Sequence, residues 1–377
     1  MKFFNFAGPC DPRFHYMIPA SARLPEARQL IEQGAYFAMH APRQTGKTTT
    51  LRALATEITA AGRFAALYFS CDRLRMASDI EEMQTSLLRV MREMARLQLP
   101  ADCQPPLEWP QARGALSLLS RGLASWCRTA ARPLALLFDE LDVLTGDPLI
   151  AVLSQLRDDY ADRPDNAPWS VALCGLRDVG DETAAVGGDP QRLASSIPFN
   201  INTASLRLSN FTRDEVAALY AQHTAAGGAR FPPETVDAAM RLTAGQPWLV
   251  NALARDLVEH HPGAAEVTPD DADAAADRLI RACATHLDSL LARLREPRVR
   301  RIIEPLLAGT RAASATYRED YDYTHDLGLV VADPELRVAN PIYREVIARE
   351  LALTVEHERL PGPRRFVTAD GRLDLRA

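Results

Sequence analysis

Lysine is nearly absent from this sequence. It occurs only at Lys2 and Lys47, and every other one of the 43 basic residues is arginine. Closely spaced cysteine pairs are missing too. The six cysteines (Cys10, Cys71, Cys103, Cys127, Cys174 and Cys283) are scattered with no C-x-x-C, which argues against a zinc site and against a disulfide framework. That usage fits a reducing, cytoplasmic setting. No apolar run approaches the ~20 residues that cross a bilayer, so no membrane is expected. The opening MKFFNFAGPCDPRF has one lysine, but its apolar run is too short and broken for a signal peptide. An excess of positive charge is also lacking: the net charge is −6 and the pI about 5.8, which argues against a strongly basic nucleic-acid binder and leaves room for a local patch.

What is present is an ordinary globular composition, 47% hydrophobic and 24% charged, over 377 residues, which sets an expectation of two or three domains. The lone interior lysine sits in HAPRQTGKTTTL, His40 to Leu51. Ala41, Pro42, Arg43, Gln44, Thr45, Gly46, Lys47 and Thr48 fit the phosphate-loop pattern G-x-x-x-x-G-K-[ST] at every specified position except the first, where alanine replaces glycine. In a chain that otherwise uses arginine, a lysine here has a physical reason. A compact ammonium on a flexible stem sits between phosphates, whereas the planar guanidinium fork is too large. The methyl of Ala41 falls where the preceding strand ends and is tolerable there.

The flanks agree. AYFAMH, Ala35 to His40, is a short apolar run of the kind that forms a buried parallel strand. From Thr48 the spacing of Leu51, Leu54, Ala55 and Ile58 predicts a helix that stops at Gly62. The loop N–H groups, Thr49 included, and the helix N-terminus would face the β- and γ-phosphates of ATP, with Lys47 reaching them and the Thr48 hydroxyl on Mg²⁺. A second motif supports the first. RPLALLFDELDVL, Arg132 to Leu144, is an apolar strand running into Asp139 and Glu140. Asp139 would hold the Mg²⁺, and Glu140 would orient or deprotonate the attacking water. Asp142 reads as a cap or supporting carboxylate.

RFAALYFSC (Arg63 to Cys71), WSVALCGLRD (Trp169 to Asp178) and NTASLRLS (Asn202 to Ser209) read as further strands, the second preceded by a helix in PLIAVLSQLRDDYAD. Strands alternating with helices predict an α/β, parallel, doubly covered sheet. Arg177, at the polar end of its strand, is a candidate for the γ-phosphate region. A helical segment follows: Thr212 and Glu215 have capping-box spacing, two helices flank TAGQPWLV with Gly245 at the C′ position of the first and Pro247 in the first turn of the second, and Thr268-Pro269 opens another. Beyond it, helices precede LGLVVADPELRVAN, two short β-like runs around Asp333-Pro334-Glu335, and a helix starts at Pro341, the pattern of a winged helix. The basic run Arg293, Arg295, Arg298, Arg300 and Arg301 can meet phosphates or be a solvated face balanced by nearby acids, and the second reading is favoured.

Together, HAPRQTGKTT, LLFDELD, ALCGLRDV, TAGQPWLV and DLGLVVADPELRVANPIYREVI resemble the AAA-like ATPases of the archaeal-ATPase and STAND neighbourhood, whose relatives include initiator ATPases of the origin-recognition type. The resemblance spans Tyr16 to about Glu356. It implies a P-loop NTPase of the branch with an added strand and a catalytic glutamate, divided as ATPase domain 1–209, helical lid 210–265, winged-helix-like domain 266–357 and tail 358–377. Gly245-Gln246-Pro247 would tie lid position to the bound nucleotide, and His15 to Pro19 would pass the adenine. Arg192 is a candidate finger acting on a neighbouring subunit of a nucleotide-dependent homo-oligomer. In similar bacterial proteins a stretch like DGRLD leads into a nuclease-like domain, so the chain is expected either to be truncated or to keep the switch without the effector.

The function expected is an ATP- and Mg²⁺-dependent switch that hydrolyses ATP slowly and contacts double-stranded DNA or a protein effector through the winged helix. The alternative is an ATP-sensing module without turnover. A DNA-binding initiator or transposition-type ATPase would need a basic face on the winged helix, and a small-molecule kinase fits the Asp-Glu strand and helical lid less well.

Overall fold

A computed structural model of the chain describes residues 2–77, 79–109, 117–175, 202–282, 293–309, 317–332 and 335–359. Its centre is a five-stranded sheet, built from β1 (Tyr36–His40), β2 (Ala65–Ser70), β3 (Leu134–Asp139), β4 (Ser170–Gly175) and β5 (Asn202–Arg207). The order is β2-β3-β4-β1-β5 and every pairing is parallel. The strand that leads into the lysine loop and the strand that ends in Asp139 are therefore separated by β4. Both faces are covered, as near-continuous apolar strands require. Alternate residues enter opposite cores: Leu67, Phe69, Leu136 and Phe138 pack on one side, and Ala66, Tyr68, Ala135 and Leu137 on the other.

The first side is closed by α4 (Ile80–Gln98), α5 (Leu118–Thr129) and α6 (Asp147–Asp158). The second is closed by α1 (Ala20–Arg23), α2 (Pro25–Glu32) and α3 (Lys47–Ala60). Helix α3 buries Leu51, Leu54, Ala55 and Ile58, the face expected from their spacing. Strands β2 and β5 are three and two residues shorter than the runs Arg63 to Cys71 and Asn202 to Ser209, and residues 176–178 of the run expected for β4 lie outside the described residues.

After β5 the chain is helical: α7 (Arg213–Ala225), α8 (Pro233–Thr243), α9 (Pro247–His260), α10 (Pro269–Ala282), α11 (Pro297–Leu307) and α12 (Arg318–Asp326). An antiparallel hairpin, β6 (Val330–Ala332) and β7 (Leu336–Val338), and α13 (Pro341–Arg359) complete the described residues. The Thr212–Glu215 capping box is formed in both directions. One contiguous apolar core runs from Val216 and Leu249 through Ala272 and Ile303 to Val330 and Ile347, and takes in Phe4 and Tyr16 from the N-terminal segment. Among the described residues, no helix is long and apolar enough to cross a membrane.

Candidate functional site at the phosphate loop

Between β1 and α3 the chain makes a tight loop whose geometry follows from its sequence. Thr45 Oγ1 donates to the Pro42 carbonyl at 2.8 Å, and Gln44 and Gly46 are left-handed at φ 65° and 89°. Glycine tolerates that conformation freely, whereas glutamine is held in it by its surroundings. Lys47 and Thr48 open α3, so free backbone N–H groups and a positive dipole end face the same space. Lys47 Nζ donates to the carbonyls of Ala41 at 2.5 Å and Pro42 at 3.1 Å. Among the described residues it forms no ion pair with a carboxylate, and burial pushes its pKa down against the weaker upward pull of Cys174, Asp139 and Asp142. A half-buried cation that no carboxylate pairs with among the described residues suits an anion.

The end of β3 supplies the opposite wall. Asp139 is 1% exposed and its Oδ2 accepts from Thr48 Oγ1 at 2.6 Å and Tyr68 OH at 3.1 Å. Burial and the adjacent Asp139 both push the Tyr68 hydroxyl pKa upward, keeping it a donor. Glu140 is left-handed, φ 56°, its N–H donates to Asp139 Oδ1 at 3.0 Å, and Ser70 Oγ donates to its carboxylate. The turn thus directs two successive carboxylates differently, one fixed beside Thr48 and one exposed at the rim.

A cavity of about 560 Å³ lies over these groups. It gathers Arg43, Gln44, Gly46, Lys47, Thr48, Thr49, Asp139, Glu140, Asp142 and Pro247 from the expected set. Other expected residues stand apart from it. Ala41 is fully buried at the end of β1, where its methyl meets apolar neighbours. Pro42 and Thr45 line a separate cavity of about 220 Å³ behind the loop. Gly245 sits beneath the opening of α9 at φ 71°, where an added Cβ would lie 2.0 Å from the Phe211 carbonyl oxygen. Arg177 and Arg192 lie outside the described residues.

Several wall residues are invisible to a motif reading. Asn5, Phe6, Pro9 and Cys10 cross the cavity as a strap, tied by Cys10 N–H to Thr49 Oγ1 at 3.0 Å and by Trp248 Nε1–H to the Phe6 carbonyl at 2.6 Å. Asp72 and Arg75 close the rim beside Glu140. No spacing rule links residues 5–10 to 248, so only the folded chain brings them together. Arg23 was equally unmarked. Its side chain is 5% exposed, it donates to the carbonyls of Thr45 at 2.9 Å and of Ser209, lies 3.7 Å from Glu215 and stacks on Phe211 at 4.5 Å. Burial lowers its pKa to about 10, with Glu215 opposing.

A divalent cation fits this chemistry. Thr48 and Asp139 are adjacent hard oxygen donors, and no cluster of three metal-ligating side chains exists among the described residues. Magnesium is usually held this way, by one or two protein oxygens together with substrate phosphates and water.

Strand order, lysine loop and Asp-Glu strand are those of the P-loop NTPase fold. The chain resembles a Walker-type ATPase of Pyrococcus abyssi at TM-score 0.63 and 14% identity, with 92% of this chain and 99% of that one covered. It also matches the RuvB Holliday junction branch migration motor of Thermotoga maritima (TM-score 0.44, 14% identity, 87% and 92% covered) and the ORC1 protein of Aeropyrum pernix in complex with DNA (0.44, 13%, 92% and 95%). No family model matches the chain, and no curated protein does.

Proposed function

We propose that the protein binds ATP with Mg²⁺ at the phosphate loop and hydrolyses it slowly, as a nucleotide-dependent switch. The observation that carries this reading is the Thr48–Asp139 hydrogen bond of 2.6 Å beside a half-buried lysine that has no carboxylate partner among the described residues. Lys47 and the N-terminal N–H groups of α3 supply the positive charge that a triphosphate needs. Thr48 and Asp139 would hold Mg²⁺, whose charge withdraws electron density from the phosphates. Glu140, exposed at the rim and steadied by Ser70, orients a water and takes its proton as the new oxygen–phosphorus bond forms and the β–γ bridging bond breaks, giving ADP and phosphate.

Transmission follows from Gln246. Its Oε1 caps α9 by accepting from Leu249 N–H at 2.7 Å, and its Nε2 reaches the Gln44 carbonyl at 3.4 Å. A change in the loop is thereby felt at the start of a helix in the second core. On this reading residues 210–265 act as the lid and 266–357 as a winged-helix-like unit that meets a protein effector or double-stranded DNA. Four arginines of the basic run are paired with acids, Arg293 and Arg298 with Glu296, Arg300 with Glu304 and Arg301 with Asp320, which favours the protein effector.

The test is phosphate release by the purified protein, alone and with double-stranded DNA, beside Glu140→Gln. The reading expects turnover that falls ~10²–10⁴-fold in Glu140→Gln while ATP remains bound. Stimulation by DNA assigns the partner class to nucleic acid. Binding without turnover in the intact protein makes it a nucleotide-sensing module instead, and absence of ATP binding sinks the proposal.

A further inference from the structure

Asn251 lies just over one turn into α9. Its Nδ2 donates to the Pro247 carbonyl at 2.8 Å, whereas its Oδ1 is buried and has no hydrogen-bond partner among the described residues. The residue is 7% exposed. Exchanging the amide atoms would aim the oxygen at the Pro247 carbonyl, so the orientation follows from chemistry. Buried acceptors are nearly always paired in folded proteins, so the unpaired Oδ1 of a residue that lines a cavity calls for a donor from water or from a ligand.

Its position narrows that donor. Asn251 is common to the walls of two cavities, the large one holding Lys47 and Thr48 and a small one of about 50 Å³ where Met17, Ile18, Phe211 and Leu219 stand beside Tyr16 and Arg23. The small cavity also touches Gly46 and Thr49, so it adjoins the phosphate loop. Ionised phosphates accept hydrogen bonds and have none to give. In a nucleoside triphosphate the donors are the base amine and the ribose hydroxyls. A lone acceptor oxygen beside apolar side chains therefore addresses the nucleoside end, and those side chains suit the flat face of a base.

We propose that Asn251 Oδ1 accepts a hydrogen bond from the nucleoside of the bound triphosphate, which makes Asn251 a residue that determines nucleotide specificity. The proposal rests on the nucleotide reading above. It is tested with four ligands, each with Mg²⁺: ATP, 2′-deoxy-ATP, 3′-deoxy-ATP and purine riboside triphosphate, which lacks the 6-amino group. Dissociation constants are measured for the intact protein and for Asn251→Leu. The intact protein should prefer ATP roughly 10-fold over one of the three analogues. Asn251→Leu should bind ATP roughly 10-fold more weakly and leave that analogue unchanged, and the analogue that escapes identifies the donor. The ratio between ligands is independent of the fraction of the variant that folds. Equal weakening of all four ligands, or an unchanged affinity for ATP, overturns the proposal and leaves the nucleotide site standing. Failure of the intact protein to bind any of the four removes both.

Discussion

The two sides of the phosphate loop satisfy their polar groups differently. Among the described residues, the Lys47 ammonium on the cavity side has only the carbonyls of Ala41 and Pro42, and the Asn251 oxygen has no partner. On the far side the contacts are met. Arg23 donates to Thr45 and Ser209, Gln246 reaches Gln44, and Pro42 packs so closely on Gly328 that an added Cβ there would lie 2.7 Å from the proline ring. Next to that contact Arg207 and His325 meet at 2.7 Å. A surface built for a ligand keeps unmet groups, and a surface built to transmit has them paired. The loop has one side of each kind.

Substitutions on the two sides should therefore separate binding from stability. The largest effect is expected on the far side. Gly245→Ala forces a left-handed alanine against the Phe211 carbonyl, and should cost about 3 kcal/mol or more, read as a fall in denaturation midpoint. Arg23→Met keeps the packing on Phe211 but takes the donor from the Thr45 and Ser209 carbonyls and the cation from Glu215, with an expected loss of about 2 kcal/mol. Thr212→Ala removes one half of a capping box, for about 1 kcal/mol in the same measurement. Smallest of all is the effect on the ligand-free protein of Lys47→Ala. Removing a half-buried cation relieves its desolvation, which offsets the loss of its hydrogen bonds to the Ala41 and Pro42 carbonyls. The denaturation midpoint should therefore stay nearly unchanged, although the same change is expected to weaken ATP binding about 100-fold or more. A drop in midpoint as large as that of Arg23→Met would erase the distinction between the two sides.

The comparison also explains what was legible in the sequence. Lys47, Thr48, Asp139 and Glu140 were marked by residue type and by position at strand ends, which are local properties. The two-residue alternation of buried side chains, the α3 face and the Thr212 cap were local as well. Strand order was not: nothing in the spacing places β4 between β1 and β3, or β5 beside β1, since crossovers are decided by packing. Helices α1, α2, α4 and α5 carry no site motif, although the Asp79 cap and the spacing of Met83, Leu87 and Met91 are local signals for α4. Tyr68, Arg23, Asn251 and the Asn5–Cys10 strap became part of the site only through contacts between segments far apart in the chain. The arginine run shows the reverse case. Arg300–Glu304 and Arg293–Glu296 have helical spacing that already foretold pairing.

The central claim is that the cavity over Lys47 takes a nucleoside triphosphate. Calorimetric titration of ATP with Mg²⁺ into the intact protein and into Lys47→Ala tests it most directly. The account predicts saturable binding at one site per chain, weakened about 100-fold or more by the substitution, with both proteins equally folded. Equal affinity in the two proteins, or no binding to the intact protein, would contradict it.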